Sequence, residues 1–149
     1  MAANTDDTAA REAMYALGMR HATLEAQGDI EGTMDTLVEE PVYEFWPIGL
    51  RMVGRDQVRR YYRHLIDDFI PRQIGYEMLA ETLSGEALSQ EYSIEIRGEQ
   101  GPETHRVIGI LYVDPKAPER MAGERIWGDE AFLRRMVGPV WDDLERIER

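Results

Sequence analysis

One helix ends and another begins within residues 20–32, which read RHATLEAQGDIEG. Upstream of this stretch, side chains recur at helical spacing and predict a first helix over Thr8 to Gln27. The stripe consists of Met14, Leu17, His21 and Leu24. Gly28 favours the end of that helix, because glycine readily adopts the left-handed backbone that follows many last turns. Asp29 can cap the next helix, since its carboxylate can accept a backbone N–H of the first turn.

The segment after Asp29 predicts a short helix, a strand and a third helix. The short helix has one apolar face and ends before Pro41, which cannot continue it. That face consists of Ile30, Met34, Leu37 and Val38. Val42 to Trp46 predicts a strand, because it is rich in aromatic and branched residues. A third helix opens at residues 54–56 and ends before Pro71. Its apolar stripe consists of Val58, Tyr61, Tyr62, Leu65 and Phe69.

The second half alternates with period two and is divided by turn sequences rich in glycine and proline. This pattern predicts four long strands linked by hairpins, over residues 72–83, 86–97, 103–113 and 119–128. A short helix, Glu130 to Val137, follows and is broken by Gly138-Pro139. A last amphipathic helical turn carries Trp141, Leu144 and Ile147. Helices first and an antiparallel sheet afterwards predict an α+β fold.

The composition excludes several classes of partner and site. The 149 residues suit a single domain with its own core. With 17 basic and 29 acidic residues the formal charge is −12, which repels nucleic acid and anionic membranes. The chain has no cysteine, so disulfides and thiolate metal sites are excluded. The polar N-terminus does not resemble a signal peptide, and the longest apolar stretch, Val107 to Val113, is too short to span a bilayer. We therefore expect a soluble cytoplasmic protein.

Two further informative segments follow residues 20–32 in the chain: GRDQVRRYY at 54–62 and ERIWGDEAFLRRMVG at 124–138. Together the three segments resemble the nuclear transport factor 2-like superfamily, and within it the SnoaL-like family of polyketide cyclases and ketosteroid isomerase-like proteins. The resemblance implies a cone-like curved antiparallel sheet wrapped around a long N-terminal helix. It covers residues 1–138 as one domain and leaves 139–149 as a C-terminal helical extension packed on that domain. It also implies an internal pocket for a small molecule, and a homodimer formed through the outer sheet face.

The resemblance to ketosteroid isomerase assigns expectations to single positions. His21 falls where that enzyme has the tyrosine of its oxyanion hole, and Tyr62 matches a tyrosine that supports it. His21 would act as acid, base or oxyanion donor. The alternative is a buried histidine satisfied by a structural partner. Phe45 and Gly109 occupy the positions of the general base and of the neutral aspartic acid. Neither can transfer a proton, so steroid isomerisation is not expected.

The same register predicts which strand residues face the pocket: Gln90, Tyr92, Ile94, His105, Val107, Gly109, Arg125 and Trp127. A slip by one residue would instead turn Glu91, Ser93 and Ile126 inward. An inward Arg125 would replace the catalytic aspartate that limonene epoxide hydrolase carries there, which argues against epoxide hydrolysis. Arg125 would then orient an anionic oxygen of the substrate, beside an apolar wall formed by Trp127. The alternative for Arg125 is a structural ion pair.

Several polar residues have two interpretations. Asp129 is either a general acid or base at the pocket mouth or the N-cap of the following helix. His105 could pair with His21 across the pocket, although its place near a turn favours a strand end that faces solvent. His64 is expected to be solvated. The pairs Arg59-Arg60 and Arg134-Arg135 are expected to form surface ion pairs.

The sequence also lacks the motifs of cofactor and metal sites. No glycine-rich phosphate loop or dinucleotide fingerprint is present, and the three histidines do not have the spacing of metal ligands. Two functional hypotheses remain. The first is a cofactor-independent acid-base enzyme, a cyclase, dehydratase or isomerase, acting on a small, largely apolar molecule with a polar or anionic oxygen. The second is a non-catalytic small-molecule-binding or dimeric interaction module.

Overall fold

The computed structural model describes residues 5–148, with side chains from Asp7 onward. The helices are α1 Thr5–Ala26, α2 Ile30–Asp35, α3 Arg55–His64 and α4 Glu130–Val137. The strands are β1 Leu37–Trp46, β2 Leu50–Val53, β3 Gln73–Leu83, β4 Ala87–Gly98, β5 Gly101–Asp114, β6 Ala117–Trp127 and β7 Glu145–Arg146. Within this part of the chain, no helix is both long and apolar enough to cross a membrane.

The described strands form one seven-stranded sheet in the order β3-β4-β5-β6-β1-β2-β7. Neighbours are antiparallel except for β1 and β6, which run parallel. The first and the last long strands of the sheet, β1 and β6, therefore lie side by side, although most of the chain separates them. The sheet is curved and unclosed, and the long α1 helix packs against it. The predicted α+β fold is confirmed.

Each strand of the sheet has an inner face, which packs against the helices, and an outer face. Antiparallel partners in register share a face, so the pairs Gln90↔Gly109 and Gly109↔Ile126 define one surface across three strands. We call this surface the inner face; it includes Tyr43, Phe45, Leu88, Gln90, Tyr92, Val107, Gly109, Leu111, Glu124 and Ile126. Most of its apolar members are buried in the core, together with residues of α3 and α4.

The start of β1 corrects the predicted second helix. Helix α2 ends at Asp35, and Leu37 and Val38 belong to β1 instead. The backbone N–H of Met121 donates to the oxygen of Thr36 at 2.8 Å, and Leu37 is paired with Met121. The local pattern assigns residues 37–40 to a helix. They form a strand instead, because a strand that is distant in sequence pairs with this part of the chain.

Other parts of the prediction are confirmed or need small corrections. The four long strands are confirmed, as are the cap formed by Asp29 and the break after Val137. The third helix leaves α geometry after His64, with a π-helical segment at Leu65–Phe69 and a 3₁₀ turn at Ile70–Arg72. The C-terminal segment is a 3₁₀ helix at Gly138–Asp143 followed by β7, which pairs with β2. Strands β2 and β7 were not predicted.

Gly123 allows β6 to approach β1 closely. Its φ is +153°, and a Cβ built on it would lie 1.8 Å from the backbone oxygen of Val42. No side chain fits there, so the parallel pairing of β1 and β6 depends on glycine at this position.

Candidate functional site

A buried chain of hydrogen bonds begins at His21 on α1. The histidine is 1% exposed, and its Nδ1 lies 2.7 Å from the hydroxyl of Thr36. That hydroxyl donates its only proton to the backbone oxygen of Thr33 at 2.6 Å. The hydroxyl must therefore accept from His21, which places a proton on Nδ1 of the imidazole.

The other ring nitrogen of His21 is engaged by two tyrosines. Nε2 accepts from the Tyr62 hydroxyl at 2.8 Å, and Tyr62 in turn accepts from the Tyr43 hydroxyl at 2.5 Å. Burial raises the pKa of both tyrosines well above the usual value, so both hydroxyls stay protonated. The contact predicted between His21 and Tyr62 is confirmed. A carboxylate oxygen of Glu25, one turn along α1, lies 3.5 Å from Nε2.

Glu124 on β6 brings a carboxyl group onto the inner face. A Cβ placed on Gly109 would lie 2.9 Å from Oε1 of Glu124, so this carboxyl fills the space that the missing side chain leaves. Burial and, to a smaller extent, the charge of Glu25 together raise the pKa of Glu124 to about 8. No hydrogen bond from any described residue opposes that shift. At pH 7 this carboxyl is therefore mostly a neutral acid.

Gln90 and Tyr92 on β4 face inward, as predicted, and lie near this carboxyl. The Tyr92 hydroxyl donates to Oε1 of Gln90 at 2.5 Å, and Nε2 of Gln90 donates to Glu81 at 2.8 Å. Burial, followed by the charge of Glu124, raises the pKa of Tyr92 to about 12. Tyr76 packs edge-on against Tyr92 at 5.9 Å and is 69% exposed. The inner face is thus closed near β1 and open to solvent near β3.

Arg125 and Trp127 point away from this site, which corrects the predicted direction of both side chains. Because Gly109 faces inward and is paired with Ile126, the residues on either side of Ile126 face outward. Nε of Arg125 lies 3.4 Å from Glu44, and its guanidinium lies 4.2 Å from the centre of the Tyr112 ring. The structural ion pair considered for Arg125 is therefore present.

Trp127 belongs to the outer face as well. It stacks on Trp46 with ring centres 5.7 Å apart and is 42% exposed. The slip considered in the sequence analysis thus applies to β6, where Ile126 is inward, but not to β4. There Gln90 and Tyr92 are inward, and Glu91 and Ser93 are outward.

His105, near the start of β5, and Asp129, just after β6, contact each other at one end of the sheet, which we call the rim. His105 does not reach across the interior. Nδ1 of His105 lies 2.7 Å from Asp129, and Nε2 lies 3.1 Å from Glu103, which also forms a two-point ion pair with Arg135. Asp129 accepts the backbone N–H of Phe132 at 2.8 Å and caps α4. The pairing of His105 with His21 is not seen, whereas the N-cap is confirmed.

The pKa values of the rim acids follow from these contacts. Burial raises the pKa of Asp129, but the Phe132 amide and His105 together outweigh it, so the net pKa is lowered. The pKa of Glu103 is lowered by its hydrogen bonds from Arg135 and then from His105. Both rim acids are thus stabilised as carboxylates, in contrast to Glu124.

Sequence reasoning missed Glu124, Glu25 and Tyr43 as members of the interior site. The available signal was the parity of β6: counting from Gly109 through the hairpin with the correct slip turns Glu124 inward. Phe45 lies on the inner face and is fully buried, as its apolar character indicates. Among residues 5–148, no three His, Asp or Glu side chains are grouped so that they could hold a metal ion.

Comparisons with known proteins bear on the fold. No protein-family model matches the sequence, and no match is found among curated proteins. Solved structures do match. An NTF-2 like protein of unknown function from Burkholderia xenovorans LB400 is 18% identical, with a TM-score of 0.60, over 79% of this chain and 84% of that one. An uncharacterized bacterial protein with a cystatin-like fold from Silicibacter pomeroyi DSS-3 is 15% identical, with a TM-score of 0.64, over 87% and 89%.

A third similar structure has a described chemistry. SalBIII, an epoxide hydrolase/cyclase-like enzyme with a role in pyran ring formation in the polyether salinomycin, is 12% identical. Its TM-score is 0.60, over 79% of this chain and 92% of SalBIII. At these identities the likeness concerns the fold, and it confirms the fold that the three sequence segments predict.

Proposed function

We propose that this chain, which has the nuclear transport factor 2-like fold, carries out cofactor-independent acid-base chemistry on a small, largely apolar molecule. The reaction would take place on the inner face, with Glu124 as the general acid. Substrates would bear a polar or anionic oxygen, and the reaction would be a cyclisation, a dehydration or an isomerisation. Steroid isomerisation is not included, because the buried phenyl group of Phe45 cannot serve as its base.

The observation that carries this proposal is the carboxyl of Glu124. It lies over Gly109 on a mostly apolar surface, and its pKa of about 8 keeps it protonated at neutral pH. A neutral carboxylic acid can donate a hydrogen bond or a proton to a substrate oxygen on which negative charge develops. A carboxylic acid with only a structural role is rarely kept neutral at pH 7, since neutralising it costs free energy.

The carboxylate of Glu25 would have the opposite role, that of a general base. Its negative charge contributes to the raised pKa of Glu124, and it lies beside Nε2 of His21. Two carboxyl groups whose environments differ in this way suit an acid and a base of one reaction. Glu124 would protonate the substrate oxygen while Glu25 removes a proton from carbon or from a hydroxyl group. Proton exchange with solvent would then return Glu124 to its acid form and Glu25 to its carboxylate form.

His21 and Tyr62 hold this arrangement in place. Both ring nitrogens of His21 are engaged by hydroxyl groups, so we assign the histidine a positioning role. Gln90 and Tyr92 would bind the substrate on the open side of the inner face. Asp129 and His105 lie at the rim, where they would act on substrate entry and not on the reacting atoms.

The class of chemistry has support from the fold comparison. SalBIII is described as epoxide hydrolase/cyclase-like. The sequence argument against a water-activating carboxylate rested on an inward Arg125. Because β6 instead turns Glu124 inward, epoxide opening with cyclisation is compatible with the inner face.

The proposal is tested by screening cyclic ketones, hydroxy-epoxides and hydroxy-ketones for turnover by NMR. For any compound converted, Glu124→Gln should reduce kcat/KM by about 10²-fold or more, the size of a general-acid contribution. The wild-type rate should fall as pH rises through about 8. Arg120→Gln, an exposed change on the same strand, is the matched control. An active compound whose turnover is equal in Glu124→Gln and Arg120→Gln would refute the role of Glu124.

A second candidate is an interaction module that pairs through the outer face of the sheet. The observation that favours it is the exposure of Ile108 and Trp127 on that face, which border a groove of about 460 Å³. Sedimentation velocity of the wild type and of Trp127→Glu tests this. A dimer that dissociates in the variant supports pairing through this face, whereas a wild-type monomer excludes it.

A further inference from the structure

A small basic groove lies at the end of the sheet where β3 begins and β4 ends. It has a volume of about 210 Å³. Four arginines and one acid line it, in a chain whose formal charge is −12: Arg72, Arg97, Arg134, Arg135 and Asp68. The local charge is thus opposite to that of the molecule as a whole.

Two of the arginines have their charges compensated. Arg135 forms the two-point ion pair with Glu103, at 2.7 and 3.1 Å. Arg134 lies 3.5 Å from Glu130, and its guanidinium lies 4.6 Å from the centre of the Trp141 ring. The expected surface ion pairs of Arg134-Arg135 are therefore confirmed, and these contacts fix one wall of the groove.

The other two arginines, Arg72 and Arg97, line the same groove without such compensation. Arg72 precedes β3 and Arg97 lies next to Ile96, which pairs with the first residue of β3, so both belong to the same end of the sheet. Neither forms an ion pair with any residue of the described range 5–148. Like charges that line one groove repel each other unless something neutralises them. An anion held between the two guanidinium groups would remove that repulsion.

The backbone around the groove is unusual and well fixed. The turn from α3 into β3 is π-helical at Leu65–Phe69, a geometry that often marks functional positions. Nε2 of His64 donates to the backbone oxygen of Arg135 at 2.8 Å, and this corrects the expectation that His64 is solvated. A Cβ on Gly138 would lie 2.4 Å from the His64 ring, so glycine there lets α4 approach the groove.

We infer that this groove binds the oxyanion head of a small molecule, a carboxylate or a phosphate monoester, between Arg72 and Arg97. Buried side chains of Phe69 and Ile96 give the groove an apolar base suited to a short hydrocarbon or aromatic part. The volume fits a group of this size but not a polymer, and the overall charge opposes nucleic acid. The residues that line the groove do not include Glu124, Gln90 or Tyr92.

Titration of the full chain with phenyl phosphate, benzoate and phenol tests the inference. Binding is followed by ¹⁵N NMR at constant ionic strength. We expect phenyl phosphate or benzoate to shift the amides of Phe69 and Gly138, and phenol to leave them unchanged. Tighter phenyl phosphate identifies a phosphate site, and tighter benzoate identifies a carboxylate site.

Matched variants separate a built site from general attraction by charge. Arg72→Gln and Arg97→Gln alter exposed side chains, so the fold should persist. Each should weaken binding about tenfold, because a hydrogen bond from a charged donor is lost. Arg120→Gln removes the same charge elsewhere and should leave the affinity unchanged. The inference is overturned if neither anion binds the wild type, or if Arg120→Gln weakens binding as much as the groove variants do.

Discussion

Glu124 and Arg125 are adjacent on β6, yet they face opposite sides of the sheet and meet opposite environments. Arg125 lies on the outer face, where Glu44 and the ring of Tyr112 contact it and water reaches it. Glu124 lies on the inner face, where burial raises its pKa and no described residue donates a hydrogen bond to it. The outer charge is compensated, whereas the inner one is suppressed by protonation.

This contrast shows on which side of the sheet a side chain can be chemically reactive. On the outer face, solvent and counter-charges reduce the effect of any single group. On the inner face, low polarity changes the protonation state of an acid and aligns hydroxyl groups in a fixed chain. The following changes test this contrast between the two faces, in order of decreasing expected effect.

Truncation of an aromatic side chain should have a much larger effect on the inner face than on the outer. Phe45→Ala leaves a cavity in the closed part of the core and should lower the free energy of unfolding by about 3–5 kcal/mol. Trp127→Ala removes a half-exposed ring and should lower the free energy of unfolding by about 1 kcal/mol. Urea denaturation of both variants measures the difference. Equal losses would show that the two faces are not energetically distinct.

Replacement of Glu124 by glutamine should stabilise the protein at neutral pH. An unfolded glutamate ionises near its usual pKa of about 4.5, whereas the folded group ionises near 8, so folding opposes ionisation between these values. The wild type therefore loses stability as pH rises through this window. From the size of the shift, the loss is at most about 3 kcal/mol at pH 7. Glu124→Gln has no such loss.

The measurement for Glu124 is urea denaturation at pH 5, 6, 7 and 8. The free-energy difference between Glu124→Gln and the wild type should grow in favour of the variant as pH increases. Arg125→Gln is the matched control on the same strand, and its difference from the wild type should stay within about 1 kcal/mol at each pH. A difference for Glu124→Gln that does not vary with pH would mean that the acid is already ionised.

Removal of one hydroxyl should destabilise the buried hydrogen-bond chain. Tyr62→Phe leaves Nε2 of His21 without its donor and Tyr43 without its acceptor. The expected loss is about 1–3 kcal/mol in the free energy of unfolding, because buried polar groups lose their partners. Tyr15→Phe, at an exposed tyrosine on α1, should change stability by less than about 0.5 kcal/mol. If the two variants match, the chain of hydroxyls does not contribute to stability.

The smallest effect is expected at the rim. Because the pKa of Asp129 is lowered in the folded state, its ionised form stabilises the fold at pH values above the usual range of the acid. This stabilisation is lost as pH falls through the pKa of the folded state. Because the side chain is half-exposed, solvent screening limits the gain to about 0.5 kcal/mol. Asp129→Asn keeps the cap and should differ from the wild type at pH 7, as measured by urea denaturation, and the difference should shrink as pH falls below the ordinary range of the acid. A difference that stays constant as pH falls would contradict an ionic origin.

The sequence predicted the fold well because its signals were local or repeated. Turn sequences mark all three hairpins of the long strands, and Gly28-Asp29 marks the junction of α1 and α2. The contact of His21 with Tyr62 was also predicted, because both positions match tyrosines of the oxyanion network in the resemblance to ketosteroid isomerase. The prediction failed at the N-terminal end of β1, because the contact that decides the structure there is long-range. Leu37 joins a strand because Met121 is available to pair with it.

The interior acid was missed for a related reason. Inward and outward positions alternate with period two, so one irregularity in register exchanges every residue of a strand between the faces. The pairing of β5 with β6 contains such irregularities next to Val113. Arg125 was therefore predicted inward and Glu124 outward, although both residue types are compatible with either face. Only the position of Gly109 opposite Ile126 decides the matter.

The parallel contact of β1 with β6 has a consequence for the way the chain is made. A ribosome releases β1 early, but its partner emerges only after three more long strands have been synthesised. Until then, the aromatic side chains of β1 cannot be covered by the neighbour that they will later have. Folding of this sheet must therefore wait for β6, and it should be slow relative to a helical bundle of equal length, because its decisive contact joins distant parts of the chain.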